Sequence, residues 1–312
     1  MDSGNNTLAN THLNCTTDTS YRFVFHQVMY SFIFVFGLVG NGLALRQFCG
    51  SLKTANSTAI YMANLSVADL IFVASLPLRI YYYHHSANRW TPGRTFCLLT
   101  FTLKYISMYG GIFFLACIGM DRFFAVVCPL AKRLRKVRTA RAISVGAWCL
   151  ILVLSISLPF LRLMVATRQQ PCLPDPSSRR NRLFILVILL LVEAAFLFPL
   201  FLLLFSYCSI IRTLRQPTRL APSKPWEGRT MRMIYSVIMV FLFCFAPYHL
   251  NLFWFTLTKV ELVQNCTLTK INQALHPVAL TLASMNCCLN PLIYYSSSKM
   301  FHKESSTSSG SQ

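Results

Sequence analysis

One stretch of the chain, CLLTFTLKYISMYGGIFFLACIGMDRFFAVVCPL from Cys97 to Leu130, opens on a thiol and goes on to a lysine and an Asp-Arg pair, three features able to do chemistry. The rest of it is almost wholly apolar. As a helix, Cys97 to Asp121 covers roughly 36 Å, enough to cross a bilayer core. Lys104 lies two turns in from Cys97 on much the same side, roughly 10 Å deep. A buried ammonium is costly unless something meets it. The three features therefore read as an outer staple at Cys97, a ligand anchor at Lys104 and an inner switch at Asp121 and Arg122.

Other polar residues inside apolar blocks extend the list. Asp69 is an acid in mid-membrane and so a functional candidate. Glu193 sits in the outer part of a later block, and His249 and His276 read as polar pocket residues with no metal role. No Gly-rich phosphate loop, nucleophile elbow or HExxH pair occurs, and the acids form no relay. The residues predict no enzyme, cofactor or nucleic-acid contact.

The elements that must hold these groups are membrane spans. The chain is 54% hydrophobic and only 12% charged, against about a quarter charged in soluble domains. Apolar blocks near 23–48, 57–83, 96–128, 140–161, 183–212, 230–258 and 271–296 each reach the ~20 residues a spanning helix needs. The reading is an all-α membrane protein, a seven-transmembrane helix bundle over 23–296. Residues 1–22 precede it as an extracellular segment. A short amphipathic eighth helix and a Ser-rich cytoplasmic tail follow over 297–312. Pro77 should kink the second span and swing Arg79 and the tyrosines after it towards the bundle mouth. No internal repeat points to an inverted-repeat transporter.

Lys and Arg are in excess on the inner segments, which sets the N-terminus outside. Asn5 and Asn14 head sequons there and are candidate glycan sites. The outer side is itself basic, with Arg79, Lys104 and Arg162 among its cations and few acids, a field that favours an anionic partner. Eight of the 12 cysteines fall in or beside spans. The other four, Cys15, Cys97, Cys172 and Cys266, fall on the outer, oxidising side, and three pairings are open to them.

Seven short motifs occur in order on the seven spans. They are Gly40-Asn41, Asn64-Leu65 with Asp69, Asp121-Arg122-Phe123, Trp148, Pro199 with Tyr207, Phe241 with Cys244-Phe245 and Pro247, and Asn290-Pro291 with Tyr294. With these motifs the chain resembles a rhodopsin-like G-protein-coupled receptor over about residues 22–303. The resemblance implies a plasma-membrane protein that exchanges two helix packings, with ligand outside and a heterotrimeric G protein inside. It implies disulfides Cys97–Cys172 and Cys15–Cys266. It further implies that Asp121, with Glu227 as a second partner, restrains Arg122. Ile112, Pro199 and Phe241 match the family's core trigger, Tyr207 and Tyr294 its inner tyrosines, and the tail a substrate for receptor kinase and arrestin. Two departures stand out: Gly111 replaces a serine that often helps Asp69 and Asn290 hold a sodium ion, and Phe245 replaces a tryptophan, as it does in the purinoceptor-like branch.

Within that branch, SLPLRIYYY, LKYISMYG, LPFLR, APYH and LASMNCCLNPLIYY are most similar to the lysophospholipid receptors of the lysophosphatidylserine type. The resemblance implies that Arg79, Lys104 and Arg162 grip a phosphate headgroup, and that Tyr105, Tyr109, Glu193, Tyr248 and His249 line the same cavity. The chemistry agrees, since a phosphate needs several cationic donors. Alternatives are a receptor for a nucleotide or another small anion, and an anion carrier or channel.

Overall fold

The computed structural model describes residues 18–50, 56–84, 94–165, 182–215 and 225–293. Seven helices follow in chain order: α1 (Tyr21–Gly50), α2 (Ser57–His84), α3 (Arg94–Val126), α4 (Val137–Val165), α5 (Arg182–Leu214), α6 (Pro225–Lys259) and α7 (Cys266–Ser284). The first six are long and apolar enough to cross a membrane.

The seventh block departs from the expected single span. Helix α7 stops at Ser284, Met285 forms a turn, and helix resumes over 286–293. The sequence makes the break. Asn286 turns its Nδ2 back onto the Ala283 carbonyl at 2.6 Å, so a side chain takes an acceptor the helix would otherwise use. The start of α7 is as local: Asn265 caps it, accepting from the Leu268 N–H at 3.0 Å. The expected eighth helix and tail lie outside the described residues, as do Cys15, Cys172, Asn5, Asn14 and Tyr294. The side chains of Cys97, Arg162 and Glu227 do too. Cys266 is disulfide-bonded, and the eight cysteines of the spans are free.

Helix α3 forms the axis of the bundle and touches α2, α4, α5, α6 and α7. Its Tyr109, Ile112, Phe114, Leu115 and Ile118 are fully buried. The outer surface is the reverse of a soluble protein's, with Val35, Phe36 and Val39 of α1, Val153 and Ile156 of α4, and Phe198 and Phe201 of α5 all exposed. So broad an apolar surface is tolerable only against lipid.

The ring of helices closes between its first and last members. A Cβ at Gly40 would stand 2.8 Å from the Pro291 ring, so this glycine lets α1 and the last helical piece touch. Beside it, Asn41 donates to the Cys287 carbonyl at 2.7 Å and to the Gly37 carbonyl at 3.0 Å. Nearer the start of α1, His26 meets Thr281 at 3.1 Å and the Tyr21 hydroxyl donates to the Ala274 carbonyl.

Candidate functional site

With the end of the bundle where α1 begins labelled the outer one, the described residues hold three polar sites, at the outer mouth, in the middle and at the inner end. The outer one is a cavity of about 550 Å³. Lys104 enters it from α3 and is only 4% exposed. Its Nζ lies 5.1 Å from the centre of the Tyr248 ring, a cation–π distance. Tyr105 and Tyr109, stacked with ring centres 6.3 Å apart, continue the α3 wall. Helix α5 supplies an apolar wall of Ile185, Ile188, Leu189 and Val192. Helices α1 and α7 add Arg22, His26, Gln273 and His276. Among the described residues the lining holds two permanent cations and no carboxylate. Such a chamber can take a ligand with a negative head and an apolar body.

The cavity thus brings together Lys104, Tyr105, Tyr109 and Tyr248, and His276 joins them. Three other expected lining residues stand elsewhere. Arg79 is buried between α2 and α3, donating to the Thr100 carbonyl at 2.6 Å with its guanidinium 5.0 Å from the Phe101 ring centre. The α2 turn that carries Tyr82 and Tyr83 to the mouth leaves Arg79 facing α3. Glu193 and His249 meet behind the wall, Nδ1 to Oε2 at 3.3 Å, joining α5 to α6. His249 also stacks on Phe196 at 4.1 Å. Both ring nitrogens of His249 and Oε1 of Glu193 have no hydrogen-bond partner among the described residues, so the 3.3 Å approach is an ion-pair distance and not a hydrogen bond.

Sequence reasoning passed over Arg22, His26 and Gln273. Arg22 and His26 lie on the first turns of a helix whose apolar pattern faces lipid, and no motif marks them. Their four-residue spacing, which puts both on one face, was the available signal.

In the middle, Asp69 is fully buried and accepts from Asn290 Nδ2 at 2.8 Å and from Ser107 Oγ at 3.2 Å. The tip of the Phe245 ring stands where a serine side chain at position 111 would be, so this chain lacks that oxygen for a sodium ion. Trp148 donates to Asn64 Oδ1 at 2.8 Å, tying α4 to α2. Ile112 is fully buried, Pro199 is buried, and Phe241 stacks on Phe196 at 5.6 Å and meets Phe245 edge-on at 5.5 Å.

At the inner end the start of α2 is folded onto Asp121. Asn56 caps the helix by accepting from the Ala59 N–H at 3.0 Å. That places the next two hydroxyls on the carboxylate: Ser57 donates to Oδ1, and Thr58 to Oδ2 at 2.5 Å. Arg122 reaches Asp121 Oδ2 at 3.1 Å and also donates to Thr58. Arg135 Nε adds a contact at 4.0 Å. The Ser57 and Thr58 donors were not anticipated. Tyr207 packs beside Val126, Ile210 and Ile234 in the adjoining apolar cluster.

The sequence model of the family described as 7 transmembrane receptor (rhodopsin family) matches residues 40–294. The chain is 34% identical over 287 residues to lysophosphatidic acid receptor 6 of Gallus gallus, covering 90% of this chain and 92% of that protein. It is 34% identical over 303 residues to lysophosphatidic acid receptor 4 of Homo sapiens, covering 96% and 80%. It is also 34% identical over 297 residues to a Homo sapiens protein named as a putative purinoceptor, covering 94% and 86%.

Proposed function

Because the chain belongs to the rhodopsin family of seven-transmembrane receptors, we propose that it is a cell-surface receptor that binds an anionic lysophospholipid and activates heterotrimeric G proteins. The observation that carries the ligand class is Lys104, a buried cation in a chamber walled on one side by the aliphatic residues of α5. A phosphate ester would sit against Lys104 with Arg22 and His276 close by, and the acyl chain would run along Ile185, Ile188 and Leu189. In this reading Arg162 adds a third cation to the headgroup site. Relatives named for lysophosphatidic acid support the same class.

In this reading the N-terminus is extracellular, with Asn5 and Asn14 available for glycans and disulfides Cys97–Cys172 and Cys15–Cys266 bracing the mouth. The inner end, with Asp121 and Arg122, faces the G protein. Glu227 and Tyr294 take part there in the exchange of packings, and the serine-rich tail meets receptor kinase and arrestin.

A relative named as a putative purinoceptor keeps a nucleotide as the second reading. A G-protein activation screen with lysophosphatidylserine, lysophosphatidic acid, sphingosine phosphate and nucleotides separates the two. The expected result is a response to a lysolipid that weakens as its acyl chain is shortened and is lost in Lys104→Ala at normal surface expression. A nucleotide response without any lipid response overturns the lipid class, and unchanged potency in Lys104→Ala overturns the anchor.

A further inference from the structure

On α6, Asn251 and Phe255 lie one turn apart, and on α7 Asn272 and His276 do the same, so each pair shares a helix face. The two faces meet. Phe255 stacks on the His276 ring with centres 5.1 Å apart, and Asn251 reaches both the Asn272 backbone and the imidazole. Asn251 and Asn272 are buried, while Phe255 and His276 line the outer cavity.

The bonds at Asn251 decide where His276 carries its proton. A backbone carbonyl can only accept, so the Asn251 atom 3.0 Å from the Asn272 oxygen is its amide nitrogen. The other end of that amide is then its oxygen, which lies 2.8 Å from His276 Nδ1. This oxygen also can only accept, so the hydrogen between the two belongs to Nδ1. Near neutral pH an ordinary imidazole is mostly uncharged. The lining holds, among the described residues, no carboxylate that would retain an imidazolium. A neutral ring with its hydrogen on Nδ1 carries a lone pair on Nε2. With Nδ1 turned to α6, the Nε2 edge is the one presented to the cavity.

Lys104 and Arg22 present only donors to a ligand, so an acceptor beside them recognises a different group. We propose that His276 is a specificity-determining residue whose Nε2 accepts a hydrogen bond from a ligand hydroxyl. The inference rests on the lysophospholipid reading above, in which that hydroxyl is the glycerol one left without an acyl chain. It sits on the carbon next to the one bearing the phosphate, so a single headgroup sets its phosphate on Lys104 and its hydroxyl on His276. Asn251 is a positioning residue that acts through the ring. A lipid acylated at that oxygen, or lacking it, has no hydrogen to give, and this end of the chamber thereby tells a lysolipid from a diacyl one.

The test is binding of oleoyl lysophosphatidic acid, and of its analogue with the glycerol hydroxyl replaced by hydrogen, to the full chain in nanodiscs. Bound lipid is read by native mass spectrometry. The hydroxyl form should bind about three- to tenfold more tightly, the worth of one neutral hydrogen bond. In His276→Ala the two lipids should bind alike, because the loss falls on the hydroxyl form alone. A merely structural role for His276 would weaken both forms and keep their ratio, and that result overturns the proposal. Asn251→Leu, which releases the ring, should also shrink the ratio, and it replaces His276→Ala if a thermal melt shows that variant unfolded. Equal binding of the two lipids by the parent overturns the hydroxyl contact and leaves the lysolipid reading standing. Binding of neither removes that reading, and this inference with it. Nitrogen NMR of the ligand-free, histidine-labelled chain checks the tautomer without any lipid. The signal lost in His276→Ala should be that of an Nδ1–H ring, and an Nε2–H ring overturns the proposal whatever the ligand.

Discussion

The ring of Phe245 occupies the space that a side chain at Gly111 would need: a Cβ there would stand 2.8 Å from its Cζ. The two departures from the family pattern are therefore one arrangement, in which a glycine on α3 makes room for an aromatic tip from α6. Gly111→Ala should displace that ring and cost about 1–3 kcal/mol of resting-state stability by overpacking. Phe245→Leu should remove most of that cost, so the double variant will be non-additive. Thermal melts of the two singles and the double give the cycle; strict additivity would refute the seat.

Arg79 braces α2 against α3 through the Thr100 carbonyl and the Phe101 face. A lysine there keeps the charge but loses the planar fork and much of the stacking. Arg79→Lys should lower the melting temperature of the ligand-free protein, with a loss of ~1.5–3 kcal/mol for a charge-assisted bond. An unchanged melt would mean that the brace contributes nothing.

Ser57 and Thr58 hold Asp121 from the first turn of α2. Removing both hydroxyls, as Ser57→Ala with Thr58→Val, leaves the buried carboxylate with Arg122 and Arg135. The resting packing should weaken by a few kcal/mol, since bonds to a charged group are worth ~1.5–3 kcal/mol each. Agonist-free nucleotide exchange on the G protein should rise. A basal rate equal to the parent's would sink the idea that α2 restrains the switch.

Glu193 and His249 join α5 to α6 behind the cavity wall. Glu193→Gln should therefore change agonist affinity far less than Lys104→Ala does. In a double-mutant cycle on stability, Glu193→Gln and His249→Asn should couple by ~0.5–3 kcal/mol, as contacting residues do. Independent effects would show that the 3.3 Å contact carries no energy.

The spans were legible because the length of an apolar block is set by bilayer thickness, and six helices fall where the blocks lie. The polar middle was legible for a related reason. Asp69 and Asn290 are buried amid hydrocarbon, where polar groups must find one another. The break at Met285 was not, because it depends on one amide rotamer at Asn286 rather than on composition. Arg79 shows the limit most plainly. Its type and position pointed to the mouth, but a residue on a helix face can turn to either neighbour, and here the Thr100 carbonyl and the Phe101 ring of α3 receive it. Arg22 and His26 were missed because a cavity gathers residues from helix ends, where periodicity has the fewest turns to show itself.

The closure of the ring between α1 and the last helical piece bears on how the chain is made. Asn41 and Cys287 are 246 residues apart, and His26 and Thr281 are 255 apart. During synthesis the first span therefore waits in the bilayer, its amide and imidazole without these partners, until almost the whole chain has been translated. A nascent chain that stalls or terminates after the sixth span holds those groups in hydrocarbon with nothing from the last block to meet them.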